Sequence, residues 1–314
     1  MAGEDNTIRI GHLSTLYHTA FLLRGSSLLA DTGLDATWRL FASGPDIISA
    51  MHDGTLDLGY IGLPPVIIGI DRGLKLACVA GGHVEGTVMI AGPGTRALAE
   101  CRTMREFLRQ FSGNTIGTPP KGSIHDVIVN ELLREQDISD VTVKNYPWAD
   151  FLSDALQQGE IAAAAGTPAL AVTAARYGNG RLVVQPDRLW PFNPSYGIVV
   201  MREMLERKNV LTRFLAAHET ACELIRQDPL RAAGIVAKTT GMVEPAIVLD
   251  TYRISPKYCA SLPPEYRTST MRFARVLHEL GYTKRLVGEG EIFETSLIDA
   301  IHPQPHHYPD GIRE

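Results

Sequence analysis

The sequence predicts a two-lobed α/β fold: two mixed, mainly parallel sheets flanked by helices and joined by a two-stranded hinge. Three observations predict it. Residues 43–73, SGPDIISAMHDGTLDLGYIGLPPVIIGIDRG, are echoed by residues 147–178, PWADFLSDALQQGEIAAAAGTPALAVTAARYG. There Asp46, Gly54, Gly62, Pro64 and Gly73 are answered by Asp150, Gly159, Gly166, Pro168 and Gly178. Short β-rich runs alternate with longer amphipathic ones in both halves, the pattern of βαβ units. Finally, 314 residues suit two compact units better than one, since single cores stop growing near ~250–300 residues.

In the first half the series runs IRIGH (8–12), HTAFLLRG (18–25), TWRLF (37–41), PDIISAMHD (45–53), LDLGYIG (56–62), PPVIIGIDRG (64–73) and KLACVAG (75–81). Pro45 after Ser43-Gly44, and Pro64-Pro65 after Gly62, mark helix starts, because a proline in the first turn gives up an N–H that has no helical partner. The second half repeats the series from TIGTP (115–119) and SIHDVIVNELLREQ (123–136) to PALAVTAARYG (168–178) and RLVVQP (181–186). Ile10-Gly11 before His18 matches Ile116-Gly117 before His125. SYGIVVM (195–201) reads as a strand returning to the first unit. The chain is therefore expected to cross outward around 88–94 and back around 190–201, giving lobe one as 1–92 with 198–314 and lobe two as 93–197. TRFLAAHETACELIRQ (212–227) is an amphipathic helix whose apolar face packs on lobe one. TYRISPKYCASLPPEYR reads as a proline-broken loop and TSTMRFARVLHELGY (268–282) as the final helix. The tail, with His302, His306 and His307 among prolines, reads as a solvated terminus.

Composition excludes several classes. A net charge of -5 without a basic run argues against nucleic-acid binding, which needs clustered Lys and Arg. Cys78, Cys101, Cys222 and Cys259 form no CxxC pair or zinc spacing, so they are expected to be free thiols, and no resident metal or cofactor is expected. No apolar run approaches the ~18–20 residues of a membrane span. MAGEDNT leads straight into IRIGH without the features of a secretory leader, so the sequence as it stands reads as cytoplasmic, and as periplasmic if a leader was removed. Phosphate-loop, dinucleotide-loop and nucleophile-elbow motifs are absent.

The string over 43–73 resembles the NMT1/THI5-like periplasmic binding proteins, relatives of the sulfonate, taurine and nitrate binders. NTIGTPPKGS together with ALQQGEIAAAAGTPAL is similar to that family's second lobe. The resemblance spans roughly residues 8–230. It implies a type II periplasmic-binding-protein fold, a small-molecule ligand held between the lobes, and an ABC-transporter permease as partner. His18-Thr19 also resembles part of the Asn-His-Thr-Gly signature of the pyrimidine-related branch, but the cysteine-rich iron motif of the thiamine-pyrimidine synthase is missing.

Loops that run from strand to helix are ready receptors for anionic oxygens, because helix N-termini expose unpaired N–H groups and partial positive charge. On lobe one the expected ligand-binding residues are Ser14, Tyr17, His18, Thr19, Ser43, Gly44, Gly62, Leu63 and Pro64. On lobe two they are Thr118, Lys121, Gly122, Ser123, His125, Trp148, Gly166 and Thr167. Tyr196, like Trp148, can stack on a planar ligand. His83, Glu85 and Thr87 sit just before the outward crossing. Ser43 and Ser123 also read as plain helix caps, and Trp148 as a core aromatic. No catalytic residue is assigned. The leading reading is a binding protein closing on a small anionic or heterocyclic molecule. The alternative is a cytoplasmic enzyme on the same scaffold, with His18, His125 or Glu85 moving protons, and a cytoplasmic sensor is the third.

Overall fold

The computed structural model describes residues 6–178 and 180–313. Among them, ten strands form two five-stranded sheets. The strands are β1 (Thr7–Leu13), β2 (Asp35–Phe41), β3 (Leu58–Ile61), β4 (Leu76–Val84), β5 (Val88–Ala91), β6 (Thr115–Thr118), β7 (Thr142–Asn145), β8 (Ala163–Gly166), β9 (Arg181–Val184) and β10 (Pro194–Met201). The orders β2-β1-β3-β10-β4 and β7-β6-β8-β5-β9 are the same pattern used twice. In each sheet the first three strands are parallel and the fourth is antiparallel to its neighbours. That fourth strand belongs to a crossing segment: β5 leaves the first half to join the second sheet, and β10 returns to the first. The sheets therefore place the crossings at residues 85–87 and 185–193. The boundaries expected at 92/93 and 197/198 fall a few residues late, because β5 and the start of β10 are apolar strands whose sheet the sequence pattern does not reveal.

The duplicated glycines have a packing reason. A Cβ on Gly11 of β1 would lie 2.7 Å from Leu56 Cδ1, and one on Gly117 of β6 would lie 2.6 Å from Ile161 Cδ1. In each sheet the second strand in order gives up a side chain there so that an aliphatic residue can close the core over it.

In the first half, α1 (Ala20–Gly25), α2 (Gly44–His52) and α3 (Leu63–Asp71) follow β1, β2 and β3. In the second, α4 (Met104–Leu108) precedes β6, and α5 (Ile124–Glu135), α6 (Phe151–Gln157) and α7 (Pro168–Tyr177) follow β6, β7 and β8. The short α8 (Pro186–Leu189) lies on the return crossing. The rest is helical: α9 (Lys208–Gln227), α10 (Pro229–Thr240), α11 (Pro245–Ile254), α12 (Pro264–Glu279), α13 (Glu289–Ile292) and α14 (Ser296–Ile301). The apolar face of α9, including Leu211, Phe214, Leu215 and Ile225, is buried with the first sheet.

Three expectations at the C-terminal end are corrected. The segment expected as one long loop contains the end of α11 and the start of α12, since Pro264 takes the first position of α12, and only residues 255–263, with Pro256 and Pro263, form the loop. Two short helices follow α12, so it is not the last. The tail is packed rather than solvated: Tyr308 is fully buried, its hydroxyl donating to Ser261 O at 3.0 Å and its ring stacking on Tyr266. A fully buried tyrosine anchors prolines that composition alone reads as loose chain.

Candidate functional site

Four helices of at least nine residues point their N-termini at one small cavity between the sheets, of about 60 Å³. Ser43 and Gly44 of α2, Gly62 of α3, Ser123 and Ile124 of α5, and Thr167 of α7 line it. Ser14, Thr15, Tyr17, His18, His125, Ala149 and Ser195 line it too, with Leu13, Ala42, Pro65 and Pro119, and among the described residues no acidic side chain does. Four dipole ends without a carboxylate make the space electropositive.

Prolines restrict which amides serve it. Pro45 occupies the first turn of α2, Pro64 and Pro65 that of α3, and Pro168 that of α7. They keep the dipoles but remove donors. The first-turn amides left include those of Gly44, Leu63, Ile124, His125 and Ala169, which have no intrahelical acceptor.

The loops are held from behind. Ser43 Oγ accepts from Asp46 N–H at 3.4 Å and donates to its carboxylate at 2.7 Å. Ser123 Oγ accepts from Asp126 N–H at 3.3 Å. The Asp126 carboxylate, buried, accepts from Gly122 N–H at 2.8 Å and from the Tyr282 hydroxyl at 2.7 Å. This fixes the turn at Gly122, whose φ of +83° is the left-handed conformation glycine permits.

Both cleft histidines are neutral. Burial holds His18 well below the ordinary imidazole value, with neighbouring His12, His83 and His218 acting in the same direction. Burial lowers His125 to about 4. His18 is 2% exposed, and its Nδ1 has no hydrogen-bond partner although the residue lines the cavity. His125 Nδ1 lies 3.0 Å from Thr87 Oγ1, which also accepts from Asn193 Nδ2 at 3.0 Å.

The expected residues thus separate into groups. Ser14, Tyr17, His18, Ser43, Gly44, Gly62, Ser123, His125 and Thr167 are brought together on the cavity wall. Thr19, His83, Thr87 and Tyr196 lie one layer behind. Thr19 Oγ1 is 2.8 Å from His218 Nδ1, His83 Nε2 is 2.8 Å from Ser255 O, and the Tyr196 ring packs 4.3 Å from His18. Leu63, Pro64, Thr118, Gly122 and Gly166 are buried without lining the cavity, Gly166 closing against Leu170. Glu85 does not line it either. With φ +63° it pairs with Lys257 at 2.6 Å and accepts from Phe192 N–H at 3.0 Å, clasping the crossing segments. Lys121 is exposed and turns to the Tyr282 ring, and Trp148 is half-buried off the wall, although Ala149 beside it is on it.

Sequence reasoning missed Thr15, Pro65, Pro119 and Ser195 on the wall, and Asp126 behind it. For Asp126 a signal existed in its position three residues after the Ser123 cap. It also missed a larger hollow of about 510 Å³ that shares Ser14, Thr15, Ala149 and Thr167 with the small cavity. Its other walls are mostly apolar, including Leu16, Phe21, Leu40, Leu170, Val243 and Ile247, with Arg24 and Asp150 as its charged groups. Arg24 Nη1 donates to His12 Nε2 at 3.0 Å.

Residues 1–240 match the sequence profile of the NMT1-like family. The chain belongs to that family. This NMT1-like chain matches no curated protein sequence significantly. Its fold is that of the two-lobed periplasmic binding proteins. A zinc-bound ligand-binding component of an ABC-type import system from Staphylococcus aureus superposes with a TM-score of 0.80 at 17% identity, over 95% of this chain and 100% of that one. The alkanesulfonate-binding protein of Xanthomonas axonopodis pv. citri, bound to MOPS, gives 0.79 at 18% over 94% and 100%. The nitrate-binding protein of Synechocystis PCC 6803 gives 0.78 at 12% over 99% and 92%. Among the described residues, no helix is long and apolar enough to cross a membrane.

Proposed function

We propose that this NMT1-like protein is a solute-binding protein that closes its two lobes on a small organic anion. The anionic group lies in the small cavity and the rest of the molecule extends into the adjoining hollow. The observation that carries this reading is the convergence of four helix N-termini from both lobes on a space without acidic side chains. An anion contacting both lobes stabilises the closed state by its differential affinity for it. That the alkanesulfonate-binding and nitrate-binding proteins sharing this fold take anions agrees with that charge. In this role the partner is a membrane permease that recognises the closed form.

The test is a thermal-shift screen comparing sulfonates and carboxylates with their uncharged amides, followed by calorimetry and mass analysis of the recovered ligand. The acid is expected to raise Tm in proportion to RT ln(1 + [L]/Kd), the amide to leave it unmoved, and the ligand to return intact. An amide that binds as tightly as its acid overturns the reading, and a chemically altered ligand favours an enzyme instead.

A further inference from the structure

Away from the cleft, where the C-terminal tail crosses α9, three side chains of different chemistry meet: Glu219 of α9, Cys259 before α12, and His302 at the end of α14. One potential ligand atom from each lies within 4.8 Å of the other two. His302 Nδ1 is 3.5 Å from Glu219 Oε1, and its Nε2 is 3.7 Å from Cys259 Sγ and 3.3 Å from Pro305 O. The His302 and Glu219 side chains are 6% and 15% exposed, and Cys259 is buried.

As a hydrogen bond the His302–Glu219 contact is long, since such bonds to nitrogen and oxygen centre near ~2.9 Å. The 3.5 Å between His302 Nδ1 and Glu219 Oε1 matches a different arrangement, with the Cys259 thiol in the same cluster. Zinc–nitrogen and zinc–oxygen bonds of about 2.0–2.1 Å and zinc–sulfur bonds of about 2.3 Å place tetrahedral ligand atoms about 3.3–3.7 Å apart. The surroundings suit ligation too. Glu219 is oriented by Arg226 Nη2 at 3.2 Å and Ala260 N–H at 3.0 Å, and Ser261 N–H points at Cys259 Sγ at 3.5 Å. With Nε2–H donating to Pro305 O, His302 presents the Nδ1 lone pair to Glu219, the outer-shell arrangement that fixes metal-bound imidazoles.

We propose that Glu219, Cys259 and His302 form a zinc(II) site that fastens the C-terminal tail to α9. The carboxylate, which also pairs with Arg226, and the thiolate supply the site's negative charge, and water or the nearby His307, whose ring centroid lies 5.0 Å from that of His302, takes the fourth position. Because sulfur binds the metal as thiolate, zinc displaces the thiol proton and affinity falls as pH falls.

The probe is cobalt(II) added to chelator-stripped full-length protein carrying C101S, which removes the half-buried thiol elsewhere. A near-ultraviolet thiolate-to-cobalt band that zinc(II) abolishes is expected. C259S loses the band, H302Q and E219Q each weaken cobalt binding about tenfold or more, and H52Q, on an exposed histidine, leaves it intact. Absence of the band in the parent protein, or its survival in C259S, overturns the proposal. Should C259S not fold, H302Q and E219Q variants with parental circular dichroism decide it, and unchanged affinity in both overturns it.

Discussion

Thr87 Oγ1 stands 3.0 Å from His125 Nδ1, tying a hydroxyl on the outward crossing to a histidine on the cavity wall. Asn193 Nδ2, on the return crossing, reaches the same hydroxyl at 3.0 Å. Both connections between lobes therefore set the orientation of one cleft imidazole. Replacing Thr87 by Val keeps the volume and removes the hydroxyl, leaving a buried ring nitrogen unpaired at a cost of about 1–3 kcal/mol. The expected result is a roughly tenfold or greater loss of affinity for the anion by calorimetry with a lower Tm. Unchanged affinity would show that His125 does not depend on the hinge.

Burial lowers His125 and His218 to about 4 and His83 to about 3, against an unfolded value near 6.5. The sign follows: the unfolded chain binds protons first, so stability is full above about pH 6.5 and falls as pH drops toward 4, by about 1.4 kcal/mol per pH unit for each histidine. Urea midpoints at pH 7 and pH 5 should differ accordingly. H218Q, which removes one of these groups, should flatten the dependence, and an equally steep profile in that variant would refute the assignment of His218.

Ser43 and Ser123 cap α2 and α5 through the amides of Asp46 and Asp126. Alanine at either is expected to cost about 1 kcal/mol of stability. If both hydroxyls also touch the ligand, S43A and S123A lose affinity beyond what circular dichroism attributes to unfolding. Affinity equal to the parent's in both variants would reduce them to caps.

Charged pairs cross the seam between the C-terminal helices and the second lobe. Arg272 of α12 meets Glu135 of α5 at 3.0 Å, and Arg134 of α5 meets Glu279 of α12 at 2.8 Å. Exposed pairs contribute only about 0.2–1 kcal/mol each, and under the proposed closure these are expected to act on the open–closed balance rather than on folding. R134Q/R272Q protein should show a larger radius of gyration without ligand and a severalfold weaker affinity, with little change in Tm. An unchanged radius in low salt would exclude the pairs as latches.

Gly11 and Gly117 hold equivalent places in the two sheets, each against an aliphatic side chain. G11A and G117A should each destabilise by about 1–3 kcal/mol through overpacking. Denaturant midpoints test whether the halves respond alike, and a neutral G117A would mean that the second sheet can relax where the first cannot.

Much of this was legible because backbone chemistry repeats. Glycines, helix-start prolines and the apolar alternation identified two like halves and the loops facing the cleft, including Ser14, Ser43, Gly62, Ser123 and Thr167. Side-chain direction was not legible. His18 and His83 read alike in the sequence, but one lines the cavity while the other is sealed behind it against Ser255. Glu85 looked like a polar group at a binding loop, whereas only the fold brings Lys257 within 2.6 Å to occupy it. Ser195 lies on a strand, where nothing local distinguishes a wall residue from a core one. The packed tail escaped notice because a single buried side chain, Tyr308, outweighs the prolines around it.

Because β10 returns to the first sheet only after β5 to β9 have completed the second within residues 88–184, the first sheet alone is built from separated stretches of chain. A growing chain thus leaves its first sheet with β4 unjoined to β3 until residues near Met201 emerge. Truncations that stop before that point should leave β3 and β4 with open edges and be aggregation-prone, even where the second sheet is already complete.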